Sequence, residues 1–249
     1  MTTSYLPAMG HVPDTIRKGR NVYEGYQRGW GLEFGNLRRD VAADKDYVNA
    51  FRYASGRSVA AIDRLMNLFL LVKFYLPKLP FGHIIEYGSY RGGSAFFMAA
   101  LASKFLPGVR VYALDTYAGM PQTDTSVDAH RAGDFATTNL EEILRAKDKF
   151  RLTNIEFIKG VFSDTAPDVL SEAKKITLAH IDCDIREAVG YAYEVSRPFM
   201  VPMGYLVFDD STASSCIGAT EAVEELVIHR DGLLSEQIFP HHVFRAPPP

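Results

Sequence analysis

Two pairs of aspartates are the residues of this chain best placed to do chemistry. Asp182 and Asp184 stand in His180-Ile181-Asp182-Cys183-Asp184, and Asp209 and Asp210 in Val207-Phe208-Asp209-Asp210. Each pair directly follows a short apolar run, ITLAHI or YLVF, with the composition of a strand. If the two strands are neighbours, four carboxylates converge on one edge of a sheet. Like charges held that close repel, and burying them unpaired is costly. A divalent cation is the natural compensation, and an oxygen-only donor set points to Mg²⁺, or to Mn²⁺ or Ca²⁺, rather than zinc. His180 lies within the strand and reads as a packed core histidine. If that strand continues, Cys183 alternates to the side opposite Asp182 and Asp184, which makes it structural and not a nucleophile. Taken singly, Asp182 and Asp184 also suit helix capping, and Asp209-Asp210 a solvated loop. Their position at two successive strand ends favours a site.

A second constellation stands earlier in the chain. Glu86-Tyr87-Gly88-Ser89-Tyr90-Arg91-Gly92-Gly93-Ser94 follows a strand and opens a helix. Glycines there let the backbone turn tightly and approach a ligand. The dinucleotide pattern G-x-G-x-x-G is not met, because position 90 is Tyr. An acid two residues before the first glycine suits a cofactor with a positive amine better than a pyrophosphate. The next strand ends at Asp115, placed as a ribose-binding acid would be after a Gly-rich turn. A tight turn without ligand and a turn-forming Asp are the plainer alternatives; the pair together favours a nucleoside cofactor.

The elements that must position these residues alternate. Strands are expected at His83–Tyr87, Val109–Leu114, Ile155–Ile158, Ile176–Ile181 and Tyr205–Phe208, with two short ones at Gln237–Phe239 and Val243–Arg245. Helices are expected at Ser94–Phe105, Thr138–Asp148, Ala166–Ala173, Glu187–Met200 and Ala219–His229. Such alternation implies an α/β fold, a mostly parallel sheet covered on both faces, with ligands beyond the carboxyl ends of the strands. Upstream, helical spacing runs from Val48 to Leu76 and stops at Pro77 and Pro80. The first fifty residues read as irregular structure with short helices. Their Arg17, Arg20, Tyr23 and Tyr26 read as a solvated surface, or as a lid or subunit contact. His241 and His242 read as surface histidines near the terminus.

Composition excludes several classes. Of 249 residues, 27 are Lys or Arg and 30 Asp or Glu, giving a net charge of −3, without the basic surplus of a nucleic-acid binder. Two cysteines make no disulfide framework, and with no secretory h-region the cytoplasm is the expected compartment. The most apolar stretch, Leu65–Leu76, is too short to span a bilayer and carries Lys73, so no membrane segment is expected.

The motifs together resemble the macrocin O-methyltransferase family. The matching runs are EYGSYRGGS (86–94), VYALDTYAGMP (111–121), IEFIKGVFSDTAP (155–167), AHIDCD (179–184) and GYLVFDDS (204–211). The resemblance covers the chain from about residue 80 onward. It implies a class I methyltransferase fold, a seven-stranded Rossmann-like sheet whose last strand is antiparallel. It also implies S-adenosylmethionine and Mg²⁺ as cofactors and a sugar or glycoside hydroxyl as acceptor. By that resemblance Glu86 and Gly88 serve the methionine end of the cofactor, Asp115 its ribose, and Ser94 and Phe162 further cofactor contacts. Asp182, Asp209 and Asp210 match the metal ligands, and Asp184 the general base. The run Ile185-Arg186-Glu187-Ala188-Val189 departs from the family pattern, so acceptor contacts there differ. Residues 1–80 are then an N-terminal extension and 81–249 the methyltransferase domain, in a chain expected to form a homo-oligomer.

This chemistry is coherent. A sugar hydroxyl is a very weak acid, and an Asp of ordinary pKa about 3.9 is a poor base for it unless a metal stabilises the alkoxide. The same logic admits a catechol or other vicinal diol as acceptor. A nicotinamide-dependent oxidoreductase is disfavoured by the missing glycine pattern, and a non-catalytic cofactor-binding protein by the four carboxylates.

Overall fold

The computed structural model describes residues 37–213 and 215–248, together with the backbone of Ile16–Arg17 and Arg20–Asn21, which pair as a short antiparallel ladder. The side chains of Arg17 and Arg20, and all of Tyr23 and Tyr26, lie outside the described residues.

Seven strands form one sheet. In chain order they are β1 (His83–Tyr87), β2 (Val111–Asp115), β3 (Ile155–Lys159), β4 (Ile176–Ile181), β5 (Met200–Phe208), β6 (Ser235–Gln237) and β7 (His242–Arg245), and across the sheet the order is β3-β2-β1-β4-β5-β7-β6. The first five run parallel, and β7 is antiparallel to both its neighbours. The expected α/β architecture is therefore present. The chain works outward from β1 to β3 and then returns to place β4 on β1's other side. That reversal opens a crevice at the carboxyl ends of β1 and β4.

Alternation along the strands divides the core into two layers. Ile84, Val111, Ala113, Leu178 and Val207 face one layer, and their neighbours Ile85, Tyr112, Leu114, Ala179 and Phe208 the other. Both sides are covered, so β4 is buried at every position, Thr177 and His180 included. One face carries α1 (Leu37–Ala43), α2 (Lys45–Ala54), α3 (Ile62–Leu70) and α4 (Gly93–Phe105). α5 (Leu140–Phe150) adds Ile143 and Ala146 to the same layer. The other face carries α6 (Phe162–Ala173), α7 (Arg186–Ser196) and α8 (Ile217–Ala222), the last continuing as a π-helix over Val223–Arg230.

Departures from the expected elements have local causes. The helix anticipated over 48–76 is broken at Ser55-Gly56-Arg57-Ser58, where Gly56 takes φ +73° and the Ser58 hydroxyl accepts from the Ala60 amide. α2 starts earlier, capped by Asp44, which accepts from the Asp46 amide. α5 starts two residues later than Thr138, because the Asn139 side chain accepts from the Glu141 and Glu142 amides. β5 starts five residues before Tyr205. Pro202 and Gly204 disguise that stretch, and a register irregularity opposite Ile176 and Leu178 accommodates them.

Candidate functional site

The carboxyl ends of β1, β2, β4 and β5 surround a cleft of about 360 Å³. Gly88 closes β1 with φ +88°. A Cβ on it would sit 1.8 Å from the Asp182 carbonyl oxygen, so only glycine lets the ends of β1 and β4 meet this closely. The Asp182 amide in turn donates to the Tyr87 carbonyl at 2.9 Å. Asp115 ends β2 and ties the Gly-rich loop down. Its Oδ2 accepts from the Tyr90 amide and its Oδ1 from the Tyr117 amide, both at 2.8 Å. Burial pushes the Asp115 carboxyl up, and those amide bonds partly offset it. Oδ1 also takes the Thr116 hydroxyl at 3.5 Å, and the carboxylate lines the cleft, where it fits the hydroxyls of a ribose. Phe162, at the start of α6, lines the cleft beside Val161, Met120, Pro121 and Phe135.

The four aspartates converge as expected. One oxygen from each of Asp182, Asp209 and Asp210 lies within 4.8 Å of the others. The Asp184 amide donates to Asp210 Oδ2 at 3.0 Å. Burial pushes Asp182 and Asp210 well up, and repulsion from the neighbouring carboxylates adds to it. Asp209 behaves differently. Burial would raise it too, but the bond from His241, the nearby His180 and the charge of Arg64 hold it far below the carboxylate range. His241 Nδ1 is 3.0 Å from the Asn67 amide nitrogen, which donates to it, so Nε2 carries the proton and donates to Asp209 Oδ1 at 2.7 Å. His180 Nδ1 bonds Glu86 Oε1 at 2.9 Å, and its Nε2 stands 3.6 Å from Asp209 Oδ1, beyond hydrogen-bond distance. Burial alone would lower His180; the Asp209 and Glu86 carboxylates carry it up to about 9. Arg64, from the first turn of α3, completes the group by pairing with Asp209 and standing 3.9 Å from Asp210. Three convergent oxygens with unfavourable mutual repulsion and no lone nitrogen donor among them fit a hard divalent cation.

Not every expected residue faces the cleft. Glu86 is fully buried against His180, and neither it nor Ser94 is among the lining residues. His180 is a buried core histidine, as read from its strand. The surface reading of His241 is overturned: it is completely buried on Asp209, because β7 inserts between β5 and β6 and carries it inward. Cys183 does not alternate away, since β4 ends at Ile181 and Asp184 turns back with φ +61°. Cys183 touches the cleft but is a buried, free thiol that burial holds protonated.

Three residues of the site carry no signal at a strand end. Arg64 lies in a helical run, His130 in the long loop after β2, and Cys216 just before α8. They meet only through the fold. His130 Nε2 is 3.7 Å from Asp184 Oδ1, and the Cys216 thiol is 3.5 Å from the same oxygen. Among the described residues, the charged ones lining the cleft are five aspartates, namely 115, 182, 184, 209 and 210, against the single guanidinium of Arg64.

Comparison with known proteins follows the same lines. The family model described as macrocin-O-methyltransferase (TylF) matches residues 33–230. A Streptomyces olivaceus protein named 8-demethyl-8-(2,3-dimethoxy-alpha-L-rhamnosyl)-tetracenomycin-C 4'-O-methyltransferase is 27% identical over 169 residues, 64% of this chain and 64% of that one. The chain thus spans just under two thirds of that relative's length. The demethyldecarbamoylnovobiocin O-methyltransferase of Streptomyces niveus is 23% identical over 201 residues, 72% of this chain and 75% of its own. Two solved structures share the fold. The O-methyltransferase NovP superposes with TM-score 0.64 at 19% identity, over 80% of this chain and 88% of its own. The calicheamicin methyltransferase CalS11 does so with TM-score 0.62 at 18% identity, over 96% and 99%.

Proposed function

The chain belongs to the macrocin O-methyltransferase family, and from that premise we propose that it methylates a sugar hydroxyl, on a glycosylated natural product or a nucleotide sugar. S-adenosylmethionine is the donor, and Mg²⁺, or Mn²⁺ or Ca²⁺ in its place, is required. One observation carries the reading: among the described residues, five carboxylates against one guanidinium line a cleft at the sheet's switch point. Such a lining attracts cations, among them a sulfonium and a divalent metal. The rhamnosyl group in the name of the Streptomyces olivaceus relative supports a glycoside acceptor.

When bound, the cation acts as a Lewis acid on oxygen and the sulfonium presents a methyl group with a good leaving group. The chain's own residues do the rest. Asp115 receives the ribose hydroxyls, and the turn at Gly88 lets backbone approach the methionine end. Asp182, Asp209 and Asp210 hold the metal, with His241 and His180 keeping Asp209 ionised and correctly turned. Asp184 takes the hydroxyl proton on its carboxylate. Apolar walls at Phe135, Phe162 and Ile185 exclude water and align acceptor with donor.

Two measurements test this. S-adenosylhomocysteine should bind the purified chain, and labelled S-adenosylmethionine should pass its methyl to a rhamnoside panel only with Mg²⁺ present. Asp184→Asn should lower kcat about a hundredfold or more while leaving S-adenosylhomocysteine affinity unchanged. Near-normal turnover in that variant removes Asp184 as the proton acceptor; failure to bind S-adenosylhomocysteine removes the methyltransferase reading.

A further inference from the structure

We propose that His130, Asp184 and Cys216 form a second metal site, selective for zinc and similar borderline-soft divalent cations. It is separate from the oxygen-only cluster of Asp182, Asp209 and Asp210. The three ligand atoms are already arranged: Cys216 Sγ to Asp184 Oδ1 is 3.5 Å, Cys216 Sγ to His130 Nε2 3.7 Å, and His130 Nε2 to Asp184 Oδ1 3.7 Å. A tetrahedral zinc with Zn–S about 2.3 Å and Zn–N and Zn–O about 2.0–2.1 Å has ligand–ligand edges of roughly 3.3–3.6 Å. The triangle on the molecule is within a few tenths of an ångström of that. All three residues line the cleft, so the fourth coordination position opens into it. That is the arrangement of three protein ligands and one exchangeable position.

The surroundings support the same reading. His130 Nδ1 faces Asp134 Oδ2 at 3.3 Å, and that oxygen is fixed by the Arg131 amide at 2.9 Å. A carboxylate on Nδ1 sets the tautomer with its proton there and turns the Nε2 lone pair toward the other ligands, as in carboxylate–histidine–zinc triads. Thiolate and imidazole favour zinc over magnesium, whereas the neighbouring all-carboxylate cluster favours magnesium. Binding converts the Cys216 thiol to thiolate and releases its proton to solvent. The remaining histidine cluster, His180 with Asp209 and His241, is closed: His241 spends both ring nitrogens on Asn67 and Asp209, and all three side chains are buried. One consequence rests on the reading of Asp184 as proton acceptor: zinc occupies that carboxylate and inhibits transfer.

Cobalt(II) added to the whole chain reports the site directly. We expect the visible bands of four-coordinate cobalt and a thiolate-to-cobalt charge-transfer band. The charge-transfer band should vanish in Cys216→Ser and persist in Cys183→Ser. Zinc affinity, read by competition with a chromogenic chelator, should fall at least tenfold in Cys216→Ser and in His130→Ala, and about tenfold in Asp134→Asn. His130 stands in a partly exposed loop, so its variant covers the case in which the Cys216 variant misfolds. A missing charge-transfer band, one that survives Cys216→Ser, or zinc affinity unchanged in His130→Ala overturns the site. If the site stands, zinc should also inhibit Mg²⁺-supported turnover; its failure to inhibit, with the cobalt spectrum intact, overturns only the role of Asp184.

Discussion

At the residue scale, the informative side chain is Arg64. Its guanidinium sits on Asp209 and near Asp210, where a cation is proposed to bind. A metal entering there must displace it, and breaking a largely desolvated ion pair is costly. Arg64→Gln should therefore raise Mn²⁺ affinity about tenfold, measured by calorimetric titration. A weaker affinity would show instead that Arg64 holds Asp209 in the ligating orientation. The contrast with the aspartates explains what the sequence made legible. Asp115 ends a strand, and Asp182, Asp184, Asp209 and Asp210 stand within three residues after one; in a parallel sheet strand ends are where ligands gather, so local pattern is enough to find them. Arg64, His130 and Cys216 come from a helix and two loops whose approach is decided by tertiary packing. His241 was misread for the same reason, since nothing near it in sequence shows that β7 runs inside the sheet's edge.

At the element scale, the ends of β1 and β4 are coupled through Gly88. Gly88→Ala would drive a Cβ into the Asp182 carbonyl and strain a left-handed backbone, a combined cost of about 2–5 kcal/mol. Because Asp182 moves with that carbonyl, the variant should lose S-adenosylhomocysteine and divalent-cation binding together. Gly56→Ala is the control: its φ is also positive, but an added Cβ meets nothing within 4 Å. It should cost about 1 kcal/mol and leave both ligands bound. Equal losses of binding in the two variants would show that backbone strain, not contact with Asp182, is responsible. Strands β1 and β4 keep their expected bounds because both faces are buried and apolar residues dominate them, with Glu86, Thr177 and His180 buried among these. Element boundaries shifted where a side chain competes for backbone groups, as Asn139 does at α5, or where Pro202 and Gly204 sit inside a strand.

At the scale of the whole molecule, the described part of the segment before residue 80, from residue 37 on, packs into the same core as the sheet. Val41, Tyr47, Leu65 and Phe69 from the upstream helices share one continuous apolar layer with Phe96 and Phe97 of α4 and with Ile84, Leu178 and Val207 of the sheet. Tyr47 meets Phe69 edge-on at 5.5 Å and Phe97 at 5.8 Å, so it bridges the extension and the fold beneath it. A core shared in this way couples unfolding of its parts, and Arg64 gives the extension a place in the cleft as well. Heating the chain should therefore show a single transition by both circular dichroism and intrinsic fluorescence. Phe69→Ala removes a ring that is 1% exposed and should cost about 4 kcal/mol. For a chain of this size that lowers Tm by roughly 10 °C. The drop should be the same by either probe, and bound S-adenosylhomocysteine should raise Tm in the wild type and the variant alike. Two separate transitions, with Phe69→Ala moving only the earlier one, would make the helices before residue 80 an independent lid and would confine their influence on the cleft to Arg64.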